Sequence, residues 1–367
     1  MSRFELLVGA EAFLARAKRD LATARRRVLV QAMTFEGDAA GQSVAAAIMV
    51  SPALDRRVLV DDYTRHVIND RFLALSRDPA LHAEAAATSA MFARLVAEGI
   101  AVRVTNPVGR NPLRYPLRNH KKLLVIDDSA YLGGINFSDH NFAWHDLMVR
   151  IADPAVAEWC AAGFEADWTG SPQPRTAAVS GTELVDATGQ GNPAAFAPVI
   201  AALSSARRSL EVVSAYPTFP FVDAMAVSAR NGAAVTLYTP RPNNKPIVRD
   251  YLLAVAGRSG IELRLTPMMT HAKAALIDGE VLVLGSSNFD FVSNRTNSEY
   301  VAIIRDAGLV AAFEAEVLVP LREGASAPEH SDHSRWGALR AKAGLRLADG
   351  AVGLLRHGAR VRDWGLR

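Results

Sequence analysis

The stretch HAKAALIDGEVLVLGSSN, residues 271–288, decides the reading of this chain. Its polar residues run His271-x-Lys273, four apolar positions, Asp278, six positions, then Gly285-Ser286-x-Asn288. A second copy stands upstream as HKKLLVIDDSAYLGGIN, residues 120–136, carrying His120, Lys122, Asp127, Gly133, Gly134 and Asn136. Two copies of one rare polar arrangement point to a single site built from both halves.

Ala274 to Ile277 and Leu123 to Ile126 are apolar runs of strand length, each followed by a turn signal, Asp-Gly or Asp-Asp-Ser. Residues two apart in a strand share a face, so His271 projects with Lys273 and His120 with Lys122. Asp278 lies seven positions from His271 and faces away if the strand is unbroken, which gives the aspartates a structural role in the turn. The Gly-Ser-x-Asn end of the returning strand brings backbone donors, a hydroxyl and an amide beside the His-Lys pair.

This set of groups suits a phosphoryl ligand. Lysine stabilises anionic oxygen, and a neutral imidazole can attack phosphorus or shuttle a proton. Two facing histidines allow one to attack while the other protonates the leaving alcohol. A lysine between potential ligands opposes cation binding, and no His/Cys/Asp cluster has zinc spacing, so no metal or other cofactor is expected.

Both stretches resemble the HKD motif of the phospholipase D superfamily, H-x-K-x4-D followed by G-[GS]-x-N. Arg118 to Asp139 with Trp144 to Ile151, and His271 to Glu299, are similar to the two catalytic segments of bacterial cardiolipin synthases. The resemblance spans roughly residues 1 to 320. The turn from Asp127 to Gly133 is one residue shorter than the family's usual one. The resemblance implies an α/β fold of two pseudo-symmetric domains packed face to face, each a mixed β-sheet flanked by helices, with the active site between them.

It also implies roles. His120, Lys122, Asp127, His271, Lys273 and Asp278 form the catalytic motif, while Asn136, Asn288 and Ser286 bind the substrate phosphate. Asp146 and Glu299 match the acids that orient the histidines in the family. Arg118 and Arg295 add positive potential or lie on the surface. The implied reaction is a metal-free double displacement through a phosphohistidine, with His120 as nucleophile and His271 as acid/base by analogy. The expected function is a phosphatidyltransferase acting on phosphatidylglycerol or a similar lipid. The alternatives are a phospholipase D-type hydrolase or a superfamily nuclease. A non-catalytic module is disfavoured, since neither motif has lost its His or Lys.

The rest of the chain frames these motifs. With 367 residues, half of them hydrophobic, it can build two cores. A single cysteine, Cys160, excludes an intramolecular disulfide. No apolar run reaches the roughly 18 residues that span a bilayer, and charges break every apolar run at the start. A cytoplasmic protein bound peripherally to the membrane is therefore expected.

Helix and strand signals alternate through both halves. Leu21-x-x-Ala24-Arg25-Arg26-x-Val28 recurs 182 residues later as Leu203-x-x-Ala206-Arg207-Arg208-x-Leu210. The two motif histidines lie only 151 apart, so the first half carries 31 extra residues, placed at Asp62 to Ser89 with Tyr63, Arg65, His66 and Arg71. Long insertions beside a site often shape substrate entry. The expected divisions are residues 1–168, a Gly/Ser/Thr/Pro-rich linker at 169–192, a second domain at 193–325 and a tail at 326–367.

The end of the tail, Arg335 to Arg367, holds eight Lys/Arg against two Asp. It carries net +6 while the whole chain is +3, so the preceding body is net −3. Trp and Leu interleaved with these charges suit an anionic membrane surface. The many glycines also fit a disordered tail, and the same charge could hold nucleic acid. A nuclease is expected to carry its basic surface on the body, so nucleic acid is the disfavoured partner. Nothing here sets an oligomeric state.

Overall fold

The structure is a computed structural model describing residues 3–108, 114–329, 335–355 and 360–365. The apolar runs condense into two eight-stranded mixed sheets. In order across the first sheet lie β1 (Phe4–Val8), β9 (Leu147–Ala152), β8 (Ser129–Gly133), β7 (Leu123–Ile126), β2 (Arg27–Ala32), β3 (Asp55–Asp61), β6 (Ala101–Thr105) and β18 (Val361–Asp363). The second sheet runs β10 (Arg175–Val179), β11 (Thr182–Thr188), β17 (Ser298–Ile304), β16 (Val281–Gly285), β15 (Ala274–Ile277), β12 (Ser209–Val213), β13 (Ala234–Pro240) and β14 (Ile261–Thr266). A two-stranded hairpin, β4 (Val67–Ile68) and β5 (Arg71–Phe72), stands apart.

The central strands repeat. In each sheet two crossovers make a parallel trio (β2-β3-β6 and β12-β13-β14), and a hairpin (β7-β8 and β15-β16) adds antiparallel strands beside it. Central strands buried on both faces read as continuous apolar runs, which is why LLVI and AALI carry no polar residue. One core cluster joins inward residues of both sheets, including Leu123, Val125 and Leu132 with Leu276, Leu284 and Ala302. Two further clusters lie under the outer helices of the first and second halves. Helices Pro154–Thr169 and Ala307–Phe313 feed the shared core through Phe164, Cys160, Leu309 and Phe313.

A buried ionic clasp crosses between the halves. Lys121 Nζ lies 2.7 Å from Asp167, in the first half, and 2.6 Å from Asp186 on β11. Burial works against the ammonium, and the two carboxylates more than offset it, so the Lys121 pKa is raised.

Two sequence expectations need correcting. The segment taken as a linker at 169–192 contains β10 and β11, which extend the second sheet by pairing β11 with β17. Its turn residues, Ser180 and Gly181, both have positive φ, as a tight two-residue hairpin requires. Loop-like composition there reflects the hairpin turn and an edge strand. The tail is likewise ordered where described. Helix Arg335–Gly353 packs Ala341, Leu345 and Val352 into the second half, and β18 returns to pair with β6 of the first. Of its glycines, Gly344 lies against Ile247, while Gly350 faces open space. The insertion at Asp62 to Ser89 resolves into a 3-10 turn at Asp62–Arg65, the β4-β5 hairpin, a second 3-10 turn and the start of helix Pro79–Ala97.

Candidate active site

Both motifs end at the same place. The segments before β7 and β15 cross to the opposite half: His120 N donates to Ser298 O at 2.9 Å, and His271 N donates to His145 O at 2.8 Å. These main-chain links seat each histidine against the other half's acidic segment. His120 Nδ1 lies 3.0 and 3.1 Å from the two Glu299 oxygens, and His271 Nδ1 lies 2.7 Å from Asp146 Oδ2. Each imidazole is thus oriented by the acid of the opposite half. The sequence pointed to both carboxylates and not to the crossing, because spacing along a chain carries no information about which half a side chain faces.

A carboxylate at Nδ1 fixes the tautomer, leaving the lone pair on Nε2. Burial and the neighbouring lysines push the histidines down, His120 to about 4 and His271 to about 3, so both rest neutral. Burial also lowers Lys122 to about 7 and Lys273 to about 8. The acids move the other way. Burial alone would raise them, but Lys273 and His271 bring Asp146 down to about 2, and His120 with Lys122 lowers Glu299. Lys122 Nζ donates to His120 O at 2.8 Å, and Lys273 Nζ sits 2.8 Å from His271 Nδ1 and bonds His271 O.

The motif glycines have a steric reason. A Cβ on Gly134 would meet Asp146 Oδ1 at 2.2 Å, and one on Gly285 would meet Tyr300 O at 2.1 Å. The strand end must therefore stay bare for the orienting carboxylate and its strand to close on it.

Ser286 and the two aspartates depart from the expected roles. Ser286, in the place of Gly134, is fully buried and bonds Glu299 with its Oγ, so it steadies the carboxylate and does not line the cavity. Ser293 Oγ donates to the other Glu299 oxygen at 2.7 Å. Asp127 accepts the backbone N–H groups of Arg25, Arg26 and Arg27, and Asp278 those of Arg207, Arg208 and Ser209. Both aspartates have positive φ, at 47° and 54°. They fasten the far end of the hairpin, as the strand parity required, and belong to the motif without touching the chemistry.

His120, His271, Asn136 and Asn288 line one cavity of about 570 Å³. Asn136 is held by Asn141 at 3.2 Å, while the buried Asn288 amide keeps one end without a partner. Arg118 also lines the cavity, paired with buried Asp61 at 2.7 Å. Arg295 instead binds Asp349 of the tail helix at 2.8 Å. Tyr63, Arg71, Phe72, Tyr115, Trp144, Tyr216, Asn244 and Lys245 are cavity residues outside the motifs. Tyr63 and Arg71 had a signal, the 31-residue excess in the first half. Lys245 and Tyr216 had none, since single residues in ordinary loops carry no pattern.

A family profile described as "Cardiolipin synthase, PLD-like domain" matches residues 18–168 and 199–318. Major cardiolipin synthase ClsA of Bacillus subtilis (strain 168) is 24% identical over 334 residues, covering 82% of this chain and 66% of that protein. Cardiolipin synthase A of Pectobacterium carotovorum subsp. carotovorum (strain PC1) is 30% identical over 226 residues, covering 53% of this chain and 46% of its own length. The chain thus spans about half to two thirds of the length of these relatives. The fold matches phosphatidylserine synthase of Haemophilus influenzae Rd KW20 with a TM-score of 0.70 at 16% identity, covering 96% of this chain and 95% of that one. It also matches polyphosphate kinase of Porphyromonas gingivalis, TM-score 0.61 at 13% identity, over 96% of this chain and 53% of that one. No helix among the described residues is long and apolar enough to cross a membrane. With its duplicated motif and the matched profile covering both halves, the chain belongs to the cardiolipin synthase-like family of phospholipase D-like proteins.

Proposed function

We propose that this protein is a phosphatidyltransferase of cardiolipin synthase type, moving a phosphatidyl group from phosphatidylglycerol or a similar phospholipid to an alcohol. The observation that carries this reading is the crossed pair of His-carboxylate contacts opening on one cavity. Two neutral imidazoles with Nε2 lone pairs, each backed by a buried lysine, suit an in-line exchange at phosphorus.

In the first step the His120 Nε2 lone pair forms a P–N bond while the bond from phosphorus to the departing alcohol breaks. The leaving oxygen takes a proton from His271 Nε2. In the second step His271 Nε2 takes the proton of an incoming alcohol. Its oxygen forms a new P–O bond as the P–N bond breaks, and the electron pair returns to His120. Protons balance over the cycle.

His271 must hold a proton before the first step, although the empty site keeps it neutral. An arriving phosphodiester anion offsets the field of Lys122 and Lys273 and so raises the His271 pKa. Asp146 holds His271 by the shorter contact, 2.7 Å, while Lys273, 2.8 Å from the same ring nitrogen, keeps His271 the less basic of the two in the empty site. His120 as nucleophile and His271 as acid/base is the assignment that the family resemblance implies.

A peripheral position on an anionic membrane belongs to the same reading. The tail helix turns Trp336, Leu339 and Leu347 to solvent, at 78%, 67% and 75% exposure, opposite its buried stripe. It carries Arg335, Arg340, Lys342 and Arg346 against Asp349 alone. Apolar residues beside cations are the pattern of a helix lying in a lipid interface. Its Gly344 sits against Ile247, two residues from the cavity-lining Lys245.

The test is to incubate the purified protein with phosphatidylglycerol vesicles and identify lipid products by mass spectrometry, with His120→Ala and His271→Ala in parallel. Cardiolipin and glycerol from the wild type alone support the transferase. Phosphatidic acid alone makes the protein a hydrolase, and no lipid product in any sample rejects the reading.

A further inference from the structure

The cavity is far larger than one phosphate needs, and the part of it beside His271 is bordered by a ring of contacts whose outer members, Asp70, Asn244 and Lys245, are exposed. From His271 the ring passes to Trp144, with ring centroids 5.0 Å apart, and from Trp144 to His140 at 5.2 Å. His140 Nε2 lies 3.9 Å from Asp70 Oδ1, and Asp70 Oδ2 accepts from Asn244 Nδ2 at 3.0 Å. Asn244 receives the Tyr216 hydroxyl, and the Tyr216 ring returns to His271 at 5.9 Å. Lys245 closes one side, with Nζ 4.0 Å from the Tyr216 centroid.

Asp70 reaches this ring from the opposite half, at the tip of the β4-β5 hairpin. Asn69 and Asp70 both have positive φ, 49° and 56°, so the hairpin turns in two residues and presents the Asp70 carboxylate across the cavity. Lys245 has no carboxylate within ion-pair distance among the described residues. The subsite therefore offers a carboxylate and an amide that accept and donate to hydroxyls, then a cation held over the Tyr216 ring beyond them.

We infer that this ring is the headgroup subsite of the alcohol that His271 protonates or deprotonates, and that it selects a polyol bearing a second phosphate. Asp70 and Asn244 hold the hydroxyls that do not react, orienting the remaining one toward His271 Nε2. Lys245 pairs with the phosphate at the far end of the polyol, separated from the reacting hydroxyl by a short carbon chain. The Tyr216 ring spans just this gap between His271 and Lys245. A glycerol headgroup joined to a phosphodiester meets all three demands, whereas water or a simple alcohol meets none. The subsite thus favours a phospholipid acceptor over hydrolysis. This inference rests on the phosphatidyl-transfer reading and deepens it.

The test compares acceptors on the full chain. Wild type, Lys245→Gln and Asp70→Asn are given phosphatidylglycerol vesicles with ethanol present, and cardiolipin, phosphatidylethanol and phosphatidic acid are quantified together. Lys245→Gln should lower the ratio of cardiolipin to phosphatidylethanol about tenfold, the loss of one charge-assisted contact. Asp70→Asn should shift product from cardiolipin toward phosphatidic acid and phosphatidylethanol. If all products fall together, or none changes, the subsite assignment is overturned.

A second measurement does not depend on turnover. Calorimetric titration with sn-glycerol 3-phosphate should show binding to the wild type that weakens about tenfold in Lys245→Gln. Equal binding by the two proteins overturns the inference even if no lipid product forms. Products from the wild type with unaltered ratios in the variants would overturn the subsite and leave the transferase reading intact.

Discussion

His120 Nδ1 lies 3.0 Å from Glu299 Oε2, a carboxylate 179 residues away in the other half of the molecule. His271 and Asp146 repeat the relationship in the opposite sense. Neither half holds a complete His–carboxylate pair, so both motifs must be docked for either imidazole to be oriented. Glu299→Gln keeps the shape of the side chain while removing the charge that fixes the Nδ1–H tautomer. It should lower kcat by about 10²–10⁴-fold, with circular dichroism and melting close to wild type. Activity within twofold of wild type would show that the carboxylate does not set the tautomer.

The acid-base behaviour of the empty site sets the shape of a pH profile. His120 must be neutral to attack, which holds above about 4. Lys122 must be charged to receive a phosphodiester, which holds below about 7, and Lys273 below about 8. Because kcat/KM reports ionisations of the free enzyme, it should already decline with pH above the His271 value, since that residue must take up a proton, and fall more steeply through the lysine values. Replacing Lys122 with Arg, which stays charged, should move the alkaline limb upward. An alkaline limb that stays in place would assign it to another group.

The motif aspartates should behave as fasteners. Asp127→Ala and Asp278→Ala each leave three backbone N–H groups without their carboxylate. A loss of about 1–2 kcal/mol of stability is expected for each, with kcat nearly unchanged under conditions where the protein stays folded. Chemical denaturation alongside steady-state kinetics separates the two effects. A large loss of kcat in a stably folded variant would place the aspartates in the chemistry after all.

Much of this was legible in the sequence because the motif states strand parity directly. His120 with Lys122 and the apolar LLVI run fixed a strand, its buried faces and the outward turn at Asp127. The crossed partnership of His120 with Glu299 was not legible, since it depends on two main-chain bridges between segments far apart in the chain. Ser286 was misread for a related reason. A hydroxyl beside a phosphate motif resembles a phosphate ligand until Glu299 is seen to accept its hydrogen bond. The residues at 169–192 were misread as a linker because an edge hairpin and a loop share small polar residues. The tail's charge suggested its partner, while its packing stripe of Ala341, Leu345 and Val352 was hidden among glycines.

The exposed face of the tail helix gives another prediction. Trp336→Ala, Leu339→Ala and Leu347→Ala together should abolish cosedimentation with vesicles rich in phosphatidylglycerol while leaving the melting temperature unchanged, since all three side chains are exposed. Binding should also weaken with added salt, because part of it is electrostatic. Unchanged cosedimentation would move the membrane contact elsewhere.

The proposed covalent intermediate on His120 can be sought directly. The wild type is mixed with phosphatidylglycerol vesicles, quenched in denaturant at alkaline pH and digested, and the peptides are searched for a phosphatidyl adduct. The adduct is expected on His120, absent in His120→Ala, and still formed slowly in His271→Ala, where only the proton transfer is impaired. An adduct on His271, or cardiolipin formation with no adduct on either histidine, would contradict the mechanism.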